Sequence, residues 1–326
     1  MNTVQDIWEA AVARDEPCVM ATLVGTEGSS YRKSGAVMVF WEDGTRQGML
    51  SAGCIEEDLA CRANELGSGD WLLCEYDTYD DTDVSWAVGC AGKMQILLES
   101  LDHSALEQLQ CAVAQLHQGY QVRVTKSLEE QCTGFFSENG HIWGAAAPGA
   151  SIYTQTIAPK PRLVVFGAGE DAVPLVQFAS RAGFSVIVCD WREAWCNPVR
   201  FPEAKQYFVG LPQEVVPELS LTERDFVVVM THHFQRDREL LELLQEQNLQ
   251  YLGVLGSRKR TARLLREFAP DWLSAPVGLP IGAEGPEEIA ISIVAEMIAV
   301  LRGKRDEYCR GVFGCRMQQK NGAGHS

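Results

Sequence analysis

The sequence predicts an α/β protein with a doubly wound parallel sheet in its C-terminal half and an α+β unit in its N-terminal half. Three observations lead there. First, the β-prone run Arg162–Phe166 enters Gly167-Ala168-Gly169, a helical pattern reaches about Ala182, and a second apolar run, Ser185–Cys189, stops at Asp190. That is strand, glycine turn, helix, strand and acid, with Ala172 in the third small position of a G-x-G-x-x-G/A spacing, so this half reads as Rossmann-like. Second, Asp225–Thr231 is an almost continuous apolar run, the pattern of a strand buried on both faces. Third, the first half carries hairpin patterning: Ala36–Trp41 and Arg46–Leu50 flank the turn residues Glu42-Asp-Gly-Thr45.

Taken in order, Val4–Ala13 has apolar residues at helical spacing. Cys18–Val24 reads as a strand, and Gly25–Gly35 as a polar loop punctuated by glycines. After the hairpin, Ser51-Ala-Gly-Cys-Ile-Glu56 feeds a helix over Ile55–Leu66. Trp71–Tyr76 and Lys93–Glu99 are strands on either side of an acidic loop and the turn Gly89-Cys-Ala-Gly92. His103–Gln118 is a helix, and two or three short strands follow between Gln121 and Trp143. Residues 148–160 lack a period and contain prolines, so they form the expected linker between a domain at 1–147 and one at 161–302. Further strands are expected at Lys205–Val209 and Tyr251–Gly256, helices at Phe234–Gln247 and Pro286–Leu301, and a flexible polar tail over 303–326.

Bulk properties narrow the function. A chain of 326 residues suggests two domains. The formal net charge of −16 argues against nucleic acid as the main partner. No apolar run approaches the ~20 residues of a membrane span, and no signal-peptide pattern opens the chain, so a cytoplasmic location is expected. The eleven cysteines then stay reduced, and the absence of C-x-x-C argues against structural zinc. Cys54 follows Gly53 at a helix start, where N–H groups favour a thiolate, although Glu56, Glu57 and Asp58 oppose that. Cys90 sits in a glycine-flanked turn that a ligand can approach. Cys18, Cys61, Cys74, Cys111 and Cys132 lie in helices or strands and read as core filler.

Ligands of open parallel sheets bind beyond the carboxyl ends of the strands, which places Gly167, Gly169, Asp190, His232, His233, Ser257 and Arg258 along one crevice. Gly169 lets N–H groups approach a phosphate, and Ser257-Arg258 suits another. Asp190 is placed to accept from ribose hydroxyls, which favours NAD over NADP. In the first half, Ser29, Ser30 and Arg32 offer hydroxyls and a cation to an oxyanion, or form an ordinary exposed connection.

The motifs accumulate into a resemblance. Gly28-Ser-Ser-Tyr-Arg-Lys-Ser-Gly35, Ser51-Ala-Gly-Cys-Ile-Glu56 and Gly89-Cys-Ala-Gly92 resemble the first domain of the XdhC/CoxI family. Phe166-Gly-Ala-Gly169, Thr231-His-His233 with Asp237, Tyr251–Arg258, and Gly278-Leu-Pro-Ile-Gly282 with Pro286-Glu-Glu-Ile-Ala290 resemble its Rossmann domain. The likeness runs from about residue 4 to 302, with Tyr31 where the family usually has Pro and Ala52 and Ala91 where it has Gly. It implies an accessory chaperone rather than an enzyme. Such a protein binds molybdenum cofactor (molybdopterin), supports its sulfuration with a sulfurtransferase such as a cysteine desulfurase, and delivers it to an apo molybdenum hydroxylase. The client implied is a xanthine dehydrogenase of purine metabolism, and the state implied is a homodimer. Cys54 and Cys90 would be the soft donors to molybdenum. The competing reading is an NAD-dependent oxidoreductase, with His232 or His233 as acid/base.

Overall fold

A computed structural model describes residues 3–28, 30–53, 55–77, 92–144, 153–265 and 270–304. The chain divides into two compact units, Met1–Lys160 and Pro161–Ser326.

The N-terminal unit contains two antiparallel sheets. The first has the order β3-β2-β1-β5-β4, built from β1 (Cys18–Gly28), β2 (Val37–Trp41), β3 (Arg46–Gly48), β4 (Trp71–Asp77) and β5 (Gly92–Leu101). The second has the order β8-β7-β6-β9, from β6 (Val122–Ser127), β7 (Cys132–Ser137), β8 (Ile142–Gly144) and β9 (Tyr153–Ile157). β1 is apolar on both faces because both are covered. Cys18 and Met20 enter one core with α1 (Val4–Arg14), α3 (His103–His117) and the second sheet. Val19, Ala21 and Leu23 enter another with Leu59 and Ala63 of α2 (Glu56–Glu65). Thr3 caps α1 through a reciprocal pair with Asp6. Lys160 ties the end of the unit to that helix: its N–H donates to Gln5 Oε1 at 2.9 Å, and its ammonium meets Asp6 at 2.6 Å and Glu9 at 2.8 Å.

Two expectations are corrected here. β1 continues to Gly28, where a loop from Gly25 was expected, because β5 keeps pairing past an irregularity at Leu23/Gly25. The segment expected as a linker, 148–160, contains β9, which pairs with β6 from Val122↔Ile157 to Lys126↔Tyr153.

The C-terminal unit is a six-stranded parallel sheet of order β12-β11-β10-β13-β14-β15. Its strands are β10 (Arg162–Phe166), β11 (Ser185–Asp190), β12 (Gln206–Val209), β13 (Phe226–Val229), β14 (Tyr251–Val254) and β15 (Leu273–Ser274). Renumbered within the unit this is the 3-2-1-4-5-6 order of a dinucleotide-binding fold, with its reversal between β10 and β13. Leu163 and Val165 pack under α4 (Ala172–Arg181) and α8 (Gly285–Leu301). Val164 and Phe166 pack under α5 (Pro212–Glu218), α6 (Phe234–Leu244) and α7 (Arg258–Leu265). Helix α5 is short, carries Pro217 and leaves no clear period in the sequence. Among the described residues, no helix is long and apolar enough to cross a membrane. The tail expected over 303–326 lies outside the described residues from 305 onward.

Candidate functional sites

In the N-terminal unit the turn before α2 is organised by one carboxylate. Glu56 is 6% exposed. Its Oε1 accepts the N–H groups of Leu50 at 3.2 Å and Ser51 at 2.7 Å, and Oε2 accepts the Ser51 hydroxyl and the Ile55 N–H at 3.3 Å. Ser51 Oγ also accepts from Gly53 N–H at 3.1 Å. Burial works to raise the Glu56 pKa, but the donors from Ser51, Ile55 and Leu50 outweigh it and hold the carboxyl below its ordinary value. The expected opposition between Glu56 and a neighbouring thiolate is therefore reduced, since the charge is spent on backbone N–H groups. Gly53 has φ +108, and a Cβ there would meet nothing within 4 Å. The turn is thus fixed from below by Glu56 and open above. Cys54, which this turn carries, and Cys90 both lie outside the described residues, as does Ser29.

The neighbouring polar loop is held by its own hydroxyls. Ser30 donates to the Arg32 carbonyl at 2.8 Å, and Ser34 to the Val24 carbonyl at 3.0 Å. Ser30 therefore shapes the loop, while Arg32 has no ion-pair partner among the described residues.

In the C-terminal unit the expected row of residues does line up at the carboxyl ends of the strands. Gly167 has φ +117, and a Cβ there would lie 2.5 Å from the Met230 carbonyl oxygen and 2.9 Å from Thr231 Cα. The glycine lets β10 and β13 meet at the strand-order reversal. Asp190 closes the turn from the other side. Its carboxylate accepts Ala168 N–H at 2.8 Å, Arg192 N–H at 2.9 Å and the Arg192 guanidinium at 2.9 and 2.7 Å. Burial would raise this pKa, but Arg192 and the two N–H groups prevail and lower it. Arg192 is in turn stacked between Trp191 and Trp195, at 4.7 and 4.5 Å from their ring centroids.

A carboxylate has about four acceptor sites, and all four of Asp190 are taken by the protein. It would have to surrender one to hold a ribose hydroxyl. The N-terminus of α4 behaves similarly. The N–H groups of Gly169, Glu170 and Asp171 find no acceptor among the described residues, yet Glu170 and Asp171 bring two carboxylates to the place where a pyrophosphate would sit. Arg200 pairs with Glu170 at 2.9 Å and His232 with Asp171 at 2.6 Å. His232 stands at φ +59. His233 caps α6 by accepting Arg236 N–H at Nδ1, 3.4 Å. Ser257 accepts Arg260 N–H at 3.3 Å and caps α7, leaving Arg258 exposed beside it. The cavity at this edge, between Asp190, Trp191, Thr231 and Arg236, measures about 10 Å³, room for one water.

Sequence reading missed the network behind this edge. Asp237, fully buried, accepts from Thr231 Oγ1 and from the Arg260 guanidinium, whose other arm donates to the Leu255 carbonyl at 3.1 Å. Its partners lie 6 and 23 residues away, so only the fold reveals the contact. Among the described thiols, burial pushes Cys18 up to about 12 and Cys196 to about 11, and raises Cys74, Cys132 and Cys189. These are poor nucleophiles. Cys61 departs from the expectation of core filler, since it is exposed on α2.

Comparison with known proteins completes the picture. Residues 163–297 match the XdhC Rossmann domain model, and residues 11–77 match the XdhC and CoxI family model. The chain is 40% identical over 323 residues to a Bacillus subtilis protein named as a probable xanthine dehydrogenase component, covering 91% of this chain and 97% of that protein. It is 24% identical over 320 residues to the molybdenum cofactor insertion chaperone PaoD of Escherichia coli, covering 92% and 88%. A crystal structure described as a xanthine dehydrogenase from Bacillus halodurans is 39% identical, with a TM-score of 0.84 over 92% of this chain and 96% of that one.

Proposed function

Because the chain belongs to the XdhC/CoxI family, we propose that it serves the maturation of the molybdenum cofactor. In this reading it binds the cofactor as cargo in the cytoplasm as a homodimer, supports its sulfuration with a sulfurtransferase, and hands it to an apo molybdenum hydroxylase of the xanthine dehydrogenase type, within purine metabolism. The observation that carries the reading is the Glu56-held turn around position 54. A buried carboxylate consumes the donors beneath it, and the space above Gly53 is open. A turn fixed on one side and open on the other suits a residue that must meet a large cargo. Cys54, with Cys90, would offer soft thiolate sulfur to molybdenum. Few protein donors and easy release suit delivery better than a closed multidentate site.

A nicotinamide dehydrogenase reading has less support, because Asp190 is saturated by Arg192 and Ala168, and two carboxylates flank the α4 N-terminus. The Rossmann-type unit then acts as a scaffold built on the dinucleotide-binding order.

The test is to purify the full chain anaerobically from cells that make the cofactor, then assay released pterin by fluorescence and molybdenum by mass spectrometry. Wild type should carry both, and Cys54→Ala and Cys90→Ala should retain about tenfold less, the equivalent of about 1.4 kcal/mol of lost binding. Wild-type protein without pterin or molybdenum would sink the reading.

A further inference from the structure

A cavity of about 250 Å³ lies inside the N-terminal unit, bordered by strands of both its sheets and by α1 and α3. One wall is apolar, with Leu109, Val124 and the edge-to-face pair Trp8–Phe135. The other wall is polar. Glu99 on β5 and Lys126 on β6 are only 5% and 7% exposed, and Lys126 Nζ donates to Glu99 Oε2. Thr133 on β7 donates its hydroxyl to Glu99 Oε1 and accepts from Nζ at 3.3 Å. The ammonium also lies 5.7 Å from the centre of the Trp71 ring, which borders the same cavity.

A buried ion pair is seldom better for stability than apolar side chains of the same volume, so a pair of this kind beside an unfilled space invites a ligand. Its unused valences define the ligand. An ammonium has three donors, and two are taken. A carboxylate has about four acceptor sites, and two are taken. One donor and two acceptors therefore remain side by side, on a wall whose two charges cancel.

We propose that this cavity binds a small, uncharged, planar heterocycle through a lactam edge. The ligand carbonyl accepts from Lys126, the adjacent ring N–H donates to Glu99, and the ring is flanked by Trp71 and the apolar wall. The volume falls just below the ~300–1,000 Å³ of usual ligand pockets, which admits one or two rings and no sugar phosphate. Phosphorylated compounds are further disfavoured, because Asp102 also borders the cavity and no net positive charge faces it. Pterins and purines share this edge. The inference is independent of the cofactor-maturation reading, since none of its residues belongs to the turn at 50–56 or to the glycine turn.

The test is calorimetric titration of the full chain with pterin, hypoxanthine and naphthalene, each up to about 1 mM, the weak limit of useful affinity. One-to-one binding of pterin or hypoxanthine is expected, with no binding of naphthalene, which fits the walls but has no polar edge. Pterin alone identifies the pterin class, and hypoxanthine alone the purine class. Ala105→Phe, which fills the cavity and leaves Glu99 and Lys126 in place, should abolish binding without loss of folding. The double change Glu99→Gln/Lys126→Met should weaken binding at least about tenfold, because the ligand's polar edge loses its partners. Failure of both pterin and hypoxanthine to bind overturns the proposal. Equal binding of naphthalene, or unchanged binding in Ala105→Phe, does so too.

Discussion

The turn at 50–56 and the turn at 167–171 use the same parts to different ends. Each has a glycine at positive φ and a buried carboxylate that gathers backbone N–H groups. At Gly53 a side chain would point into open space, whereas at Gly167 it would strike the backbone of β13 and the residue after it. The first glycine is needed for conformation alone and leaves room for a visitor. The second is needed for packing, because two strands meet where the sheet order reverses. A glycine in a fingerprint can therefore report closeness within the protein as readily as closeness to a ligand.

The largest expected effect breaks or upholds that contrast directly. Gly167→Ala combines positive φ with backbone overlap and should cost about 3 kcal/mol or more in urea unfolding. Gly53→Ala should cost about 1–2 kcal/mol from conformation alone. Equal losses would end the distinction. Next come the carboxylates. Glu56→Gln turns an amide donor toward N–H donors, and Asp190→Asn does the same while stranding Arg192. Each should cost about 2–3 kcal/mol. The Glu56 change alone should also lower retention of pterin and molybdenum, measured on the purified protein.

Acid should sharpen the comparison further. Both carboxyls are held below their ordinary values. Their contribution is therefore complete above the unfolded value near 4 and is lost as pH falls through the lower folded values. Stability measured from pH 7 downward should drop below about pH 4, and either amide variant should show a shallower drop. The smallest effect is expected at His232→Gly. It relieves φ +59 and removes an ion pair whose histidine is 63% exposed. Exposed pairs are worth about 0–1 kcal/mol and the relief about 1–2, so the two nearly cancel. A loss above about 2 kcal/mol would mean that the Asp171–His232 pair holds the glycine turn.

Most of the elements were legible because their signals are local. The run Arg162–Asp190 holds strand, turn and helix within one window, and the apolar β13 announces a strand covered on both faces. What stayed hidden depends on partners far along the chain. β9 is a short polar strand that exists because β6 offers it a ladder, and β1 reaches Gly28 because β5 runs beside it. At the sites, the strand-end row was readable from topology, but the commitment of Asp190 was not. Its guanidinium partner is only two residues away, yet pattern alone does not say whether a carboxylate faces a ligand or its own neighbour. Glu99 and Lys126 carried no motif. They meet across strands of different sheets, 27 residues apart.

The staple at Lys160 has a further consequence. Its bonds to Gln5, Asp6 and Glu9 bring the two ends of the first unit together. A short bridge could therefore join them, and fresh termini could be opened in an exposed hairpin tip such as Glu42–Thr45, giving a rearranged gene whose product traces the same path through space.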